Sequence, residues 1–285
     1  MERFDIAIIG TGPAGISAAI TAKLRKKKII LIGSSISEKV SRAHTIENYP
    51  ALPHISGSEL AKRLMAHLSH MDIEIVQKRV NAIYSMGSYF SIQAGEEFIE
   101  SRTVIAAGGV VHGKTLPGEK EFLGRGVSYC ATCDGFLYKG KTLAVLGYSA
   151  DSAQEADYLC QLADRVLYFP LSSFPLPRER ENLTLVKEHP VKITGSRMAD
   201  LLHTDKGEYK TDCIFILRDA LAPDTLIPGI LTDGPHIKVN LQMETNLPGL
   251  FACGDIAGKP YQYIKAAGQG NVAALSAVAY LAAHK

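Results

Sequence analysis

Cys130-Ala131-Thr132-Cys133, followed at once by Asp134, is the stretch of this sequence best equipped for chemistry. Two intervening residues let both sulfurs meet across one turn, in a small disulfide that opens and closes reversibly. A cysteine beside a helix N-terminus has its thiol pKa lowered, which makes a thiolate available. Asp134 adjoins the pair and is a candidate to give a proton to a leaving thiolate. Half a zinc site is the competing reading, but the sequence has no second C-x-x-C or spaced His pair to complete four ligands, so no metal is expected. Of the five cysteines, Cys160, Cys213 and Cys253 fall in apolar helix- or strand-like runs and read as buried and unreactive.

A second chemical feature is Gly10-Thr11-Gly12-Pro13-Ala14-Gly15. The three glycines match G-x-G-x-x-G, which permits a tight turn, close backbone approach to a pyrophosphate and close helix–strand packing. A helix starting there offers free N–H groups and a positive dipole end. The acid expected about 20 residues on to hold a ribose is missing. Gly33, Ser34 and Ser35 stand there, with Glu38 the nearest carboxylate and Ser34 the candidate ribose contact.

The elements that must position these residues are legible around them. Phe4–Ile9 is a β-branched run of buried-strand length, an Ala-rich helix is expected to about residue 26, and a strand over 28–32 follows. Strand, glycine turn, helix and strand form a βαβ unit. The order recurs as a strand over 141–146, a helix over 150–163 and a strand over 165–169. Glycine- and proline-rich seams at 108–118 and 245–249 divide the chain, and 170–177 reads as a loop. The expectation is an α/β protein of two Rossmann-like nucleotide-binding domains, each a three-layer ββα unit. The second, 113–244, is inserted into the first, 1–112 and 245–285.

Size and composition agree. The 285 residues are about 1.9 times a roughly 150-residue domain. Lys+Arg 31 against Asp+Glu 29 gives a net +2, with 46% hydrophobic and 21% charged residues. Those proportions argue against a disordered tail, a collagen-like repeat or a strongly basic nucleic-acid binder. The longest apolar stretch, 272–283, is too short for a membrane span, and no signal peptide is visible. Few cysteines in odd number argue against a secreted disulfide framework. A cytoplasmic protein with neither nucleic-acid nor membrane partner is expected.

The sequence resembles the low-molecular-weight, flavin-dependent thioredoxin reductases over most of its length. The resemblance lies in Gly10–Gly15, Ile46-Glu47-Asn48-Tyr49-Pro50, Ala106-Ala107-Gly108, Gly126-Val127-Ser128-Tyr129 leading into Cys130–Asp134, and Pro248-Gly249-Leu250-Phe251-Ala252-Cys253-Gly254-Asp255. It implies FAD in the first domain. Gly10, Gly12 and Gly15 would hold the pyrophosphate, with Pro13, Ala14, Ala107, Gly108 and Gly254 in the same site. Asp255 would reach the ribitol, Gln262 would lie near the isoalloxazine, Asn48 would also line the flavin site, and Val80 would touch the adenine through its backbone. Electrons would pass from reduced flavin to the Cys130–Cys133 disulfide and then to thioredoxin, with Cys133 nearer the flavin and Cys130 attacking the substrate. The resemblance also implies a homodimer whose domains swing between two arrangements.

Two departures separate the sequence from the NADPH-dependent members it resembles. Their second glycine turn, G-x-G-x-x-A, is here Gly147-Tyr148-Ser149-Ala150-Asp151-Ser152-Ala153, with side chains where backbone must approach a pyrophosphate. Their His-Arg-Arg cluster for the 2′-phosphate is replaced by Phe169-Pro170-Leu171-Ser172-Ser173, and Arg178 and Arg180 come only later. Both departures resemble a ferredoxin-dependent subgroup, so ferredoxin is the expected electron donor. The alternatives are an NADPH-dependent reductase with an atypical pocket and a flavoprotein thiol switch without turnover. The basic run Lys23, Arg25, Lys26, Lys27 and Lys28 reads either as a steering surface for an acidic partner or as a solvated helix end.

Overall fold

The computed structural model describes residues 3–33, 38–41, 43–110, 115–149, 151–171, 173, 175–218 and 222–284, with Glu38, Lys39 and Cys133 described by backbone alone. The chain divides into two compact units, Met1–Val110 with Ala222–Lys285, and Val111–Leu221.

The first unit opens with β1 (Phe4–Ile9), whose Ile6, Ala7 and Ile8 are wholly buried, as a strand covered on both faces must be. α1 (Pro13–Leu24) carries the chain across to β2 (Ile29–Gly33), parallel to β1. A single turn, α2 (Glu38–Ser41), precedes α3 (Gly57–His70). The Ser56 hydroxyl accepts the Glu59 N–H at 3.2 Å and so caps α3. β3 (Ile75–Gln77) extends the sheet beside β2. β4 (Val80–Ser85), β5 (Phe90–Ala94) and β6 (Glu97–Ala106) form an antiparallel meander. The first half of β6 pairs antiparallel with β5, and its second half runs parallel to β1.

The second unit carries β7 (Val127–Ser128), α4 (Ala131–Asp134), β8 (Thr142–Gly147), α5 (Ser152–Leu159), β9 (Arg165–Pro170) and β10 (Leu183–Leu185). An antiparallel β11 (Pro190–Gly195), β12 (Ala199–Thr204) and β13 (Glu208–Lys210) follow, then β14 (Cys213–Leu217). β10, β9, β8, β14 and β7 make one parallel sheet in that order. Its strands alternate between two cores. Ala144, Leu146, Leu167, Phe169, Ile214 and Ile216 pack with Ile193 and Leu202 of the antiparallel sheet. Leu143, Val145, Val166, Tyr168 and Phe215 pack with Ala156 and Leu159 of α5.

The chain rejoins the first unit at Ala222, not at 245 as the proline–glycine seam suggests. α6 (Pro223–Leu226) packs against β4, and the hairpin of β15 (Thr232–Asp233) and β16 (His236–Ile237) follows. The Leu231 N–H donates to Asn246 Oδ1 at 2.8 Å, and Asn246 Nδ2 donates to the Gly229 carbonyl at 2.9 Å. These bonds bind 229–231 to the seam itself, which is a turn within the unit. β17 (Leu250–Ala252) then runs parallel to β6, and α7 (Tyr263–Ala283) closes the unit. The contact between α7 and α1 is made of small residues: a side chain on Gly270 would lie 2.0 Å from the Ala14 carbonyl oxygen. No described helix is long and apolar enough to cross a membrane.

Candidate active site

The glycine turn is held between strands. Gly10 has φ +117°, donates its N–H to the Ile32 carbonyl at 2.8 Å, and leaves no room for a side chain, since a Cβ would stand 2.3 Å from the Ala107 oxygen. A Cβ on Gly15 would lie 1.9 Å from the Gly10 oxygen. Gly12 is the N-cap of α1, with Pro13 in the first turn, no capping side chain and no acid there. The first N–H groups and the positive dipole end of the twelve-residue α1 are thus presented bare. Gly108 has open space where its side chain would project. Backbone donors, absent side chains and absent acids fit the pyrophosphate of a dinucleotide such as FAD.

The other flavin-site candidates gather at the same end of the sheet. Ala107 and Gly108 follow β6, and Gly254 and Asp255 follow β17 in a 3-10 turn, Gly254–Ala257. Val80 opens β4, three residues beyond Gln77, which stands opposite Gly33 in the register of β2 and β3. Asn48 Nδ2 donates to Gln262 Oε1 at 2.5 Å. Ala107, Gly108, Gly254 and Asp255 lie at the carboxyl ends of parallel strands, where open α/β sheets bind ligands. Ser34, Ser35, Ala150 and Ser172 lie outside the described residues. Arg25, Lys26 and Lys27 follow the far end of α1, whose 12 residues span about 18 Å; that separation favours a solvated helix end over a steering surface beside the turn.

In the second unit Cys130 immediately precedes α4, and its carbonyl accepts the Asp134 N–H at 3.2 Å. Ser128 clasps the segment: its hydroxyl accepts the Cys130 N–H at 3.1 Å and donates to Asp134 Oδ2 at 2.7 Å. The Ala131 N–H donates to Glu155 of α5 at 3.3 Å. Behind the segment, burial pushes the Cys213 thiol up to about 12 and the Tyr138 phenol up to about 12, with the Asp134 charge adding to both. Cys160, Cys213 and Cys253 are free and buried, and burial raises all three thiols, the opposite of activation.

The turn after β8 is closed by the Ser152 side chain and by Tyr168 of β9. The buried Ser152 hydroxyl donates to the Ser149 carbonyl at 2.7 Å and shares a 2.8 Å hydrogen bond with the Tyr168 hydroxyl. A side chain on Gly147 would meet that hydroxyl at 2.4 Å. Tyr148 donates its N–H to the Leu217 carbonyl at 2.9 Å and lies under the Arg218 guanidinium, 4.9 Å from its ring centre. Arg218 is in turn paired with Glu119, which also accepts the Tyr129 hydroxyl at 2.9 Å. Arg180 is committed to Asp157 of α5 at 3.3 Å, and the Arg178 N–H donates to the same carboxylate at 3.2 Å.

Several residues that build these sites escape sequence reading. Ser128, Glu155, Glu119 and Arg218 acquire their roles through partners up to 99 residues away. Lys265 left one local sign, being the only charged residue in α7.

A family model for pyridine nucleotide-disulphide oxidoreductases matches residues 4–270. The thioredoxin reductase of Bacillus subtilis (strain 168) is 31% identical over 299 residues, covering 98% of this chain and 95% of the relative. A thioredoxin reductase of Aquifex aeolicus (strain VF5) is 31% identical over 305 residues, covering 99% of this chain and 94% of the relative. A crystal structure of a ferredoxin-flavin thioredoxin reductase from Clostridium acetobutylicum superposes with a TM-score of 0.95 at 47% identity, over 99% of both chains.

Proposed function

Because the chain belongs to the pyridine nucleotide-disulphide oxidoreductase family, as a thioredoxin reductase-type flavoprotein with FAD as cofactor, we propose that it reduces thioredoxin with electrons from reduced ferredoxin. The observation that carries the choice of donor is the closed turn at 147–152. Ser149 and Ser152 are buried there, and the Ser152–Tyr168 hydrogen bond fills the space that a nucleotide-binding turn keeps bare. The engagement of Arg180 with Asp157 supports the same reading, because it removes a cation from any 2′-phosphate site. The likeness to a protein described as a ferredoxin-flavin thioredoxin reductase points the same way.

FAD, when bound, supplies the exchange between one-electron and two-electron transfer that a one-electron donor and a dithiol require. Gly10, Gly12, Pro13, Ala14 and Gly15 hold its pyrophosphate, and Asp255, Asn48, Gln262, Val80, Ala107, Gly108 and Gly254 complete the site. Cys130 and Cys133 form the exchanging disulfide; support comes from Cys130, whose sulfur is disulfide-bonded, while Cys160, Cys213 and Cys253 are free. In the reduced protein the Cys130 thiolate attacks one sulfur of the thioredoxin disulfide, forming a mixed disulfide and expelling the other sulfur as thiolate. The Cys133 thiolate then attacks the Cys130 sulfur, which closes the Cys130–Cys133 bond and frees the second thioredoxin sulfur. Two electrons move to thioredoxin, and the two protons that the Cys130 and Cys133 thiols give up on becoming thiolates go to its released sulfurs, one of them relayed through the Asp134 carboxylate.

The reading includes a homodimer, supported by the solvent-facing Ile264, Val272 and Leu275 of α7. It also includes the cytoplasm, supported by three free thiols. Anaerobic titration of the flavoprotein, followed at the flavin absorbance, tests the donor. Bleaching by reduced ferredoxin and not by NADPH or NADH is expected; bleaching by NADPH alone overturns it.

A further inference from the structure

The 3-10 turn Gly254–Ala257 is fastened at both ends by one side chain. Lys265 Nζ donates to the Gly254 carbonyl at 2.9 Å and to the Gly258 carbonyl at 2.6 Å. Both glycines have left-handed backbone, φ +81° and +119°, so neither end of the turn continues the local regular structure. One helical turn further along α7, Gln269 Oε1 accepts the Gly254 N–H at 3.0 Å. Residues four apart share a helix face, so a single face of α7 sets where this turn stands. Asp255 lies between the two clamped carbonyls.

The carbonyls recruit a charge that has a cost. Burial lowers the Lys265 pKa, against which Asp255 and the Cys253 thiol act to raise it. A partly buried ammonium is retained only where its donors are used, and α7 carries no other charged residue.

We infer that Lys265 is a positioning residue for the cofactor: by clamping Gly254 and Gly258 it fixes the carboxylate of Asp255 at the ribitol of FAD. This rests on the assignment of Asp255 to the flavin site. With the turn released, Asp255 samples several positions and the hydrogen bond to the ribitol is made only part of the time. Lys265 itself touches no reacting atom.

Four variants of the holoprotein test this: Lys265→Met, Lys265→Arg, Asp255→Asn, and Lys265→Met with Asp255→Asn. FAD dissociation is measured by dilution and flavin fluorescence. Lys265→Met is expected to weaken FAD on the order of tenfold. Lys265→Arg, which still spans two carbonyls, is expected to recover most of that loss. In the Asp255→Asn background, Lys265→Met is expected to cost less than about twofold more, because its effect runs through Asp255. An equal effect of Lys265→Met in both backgrounds overturns the inference, as does unchanged affinity in Lys265→Met beside a weakened Asp255→Asn. Unchanged affinity in Asp255→Asn overturns the assignment of Asp255 itself, so the two failures are distinct. Should Lys265→Met not fold, Lys265→Gln, which keeps one donor, replaces it under the same criteria.

Discussion

Asn48 Nδ2 donates a hydrogen bond to Gln262 Oε1 at 2.5 Å, joining side chains 214 residues apart. Gln262 is the N-cap residue of α7 but caps nothing with its side chain, which is free to reach Asn48. The loop bearing Asn48 is pinned by the bridge between Ile46 and Ile55, and Tyr263 packs against the same small core. The beginning of the chain and its last helix thus meet at one polar contact in the proposed flavin site.

The contact predicts energetic coupling. Asn48→Ala and Gln262→Ala should each weaken FAD binding, and the double variant should lose less than the sum of the two. A coupling of about 1 kcal/mol is the ordinary net worth of such a bond. A double-mutant cycle on FAD dissociation checks this, and strict additivity would dismiss the contact.

Gly15→Ala should be harsher than a helix position normally allows. Alanine favours helices over glycine by about 1 kcal/mol, yet its Cβ would stand 1.9 Å from the Gly10 oxygen. The oxygen belongs to backbone and a Cβ has no rotamer by which to avoid it, so β1 or α1 must shift, and a loss of about 3 kcal/mol or more is expected. Urea unfolding of the flavin-free protein separates this packing cost from any loss of FAD.

How much of this was legible in the sequence follows from the range of each interaction. β1, the glycine turn and the Cys130–Asp134 segment are local patterns, and strand, turn and helix stand where those patterns put them. The departures at 147–153 were visible as residue types, but Tyr168, which fills the turn, comes from the next strand and left no sign beside it. The return at Ala222 was hidden because a proline–glycine turn inside a unit and a true crossing look alike in sequence. Lys265 stood in an Ala-rich stretch that reads only as apolar; its two carbonyl partners exist only after β17 and α7 have packed.

The thiol chemistry makes a clean separation of roles. Cys130→Ser and Cys133→Ser should each drop thioredoxin reduction to background while the protein keeps its FAD and its fold. Turnover and bound flavin absorbance are read on the same sample. Loss of flavin in both variants would give the pair a structural role instead.

Alkaline pH should reveal the buried thiols. Burial raises Cys213 and Cys253 from the ordinary 9.0 up to about 12. The native protein therefore keeps protons that the unfolded chain releases from 9.0 upward. Their contribution to stability is complete below pH 9.0, falls as pH rises, and is gone above about 12. Cys213→Ala should be less stable at neutral pH because of its cavity, yet its stability should fall less steeply above pH 9.0. Urea midpoints taken across that range give the slope.

The Glu119–Arg218 pair should respond asymmetrically. Glu119 is 1% exposed and Arg218 7%, so removing the carboxylate leaves a guanidinium buried without its counter-charge. Glu119→Ala should cost about 3–5 kcal/mol, whereas replacing both partners with methionine should cost much less, because two desolvation penalties disappear together. The pair also anchors Tyr129, whose hydroxyl donates to Glu119 at 2.9 Å and whose backbone leads directly into Cys130. The double-methionine variant should therefore fold yet reduce thioredoxin more slowly than the parent, since Cys130 loses an anchor that packing alone does not replace. Denaturation midpoints and turnover measured on both variants decide it: equal destabilisation in the two would mean that the charges, rather than their pairing, hold this corner of the unit together.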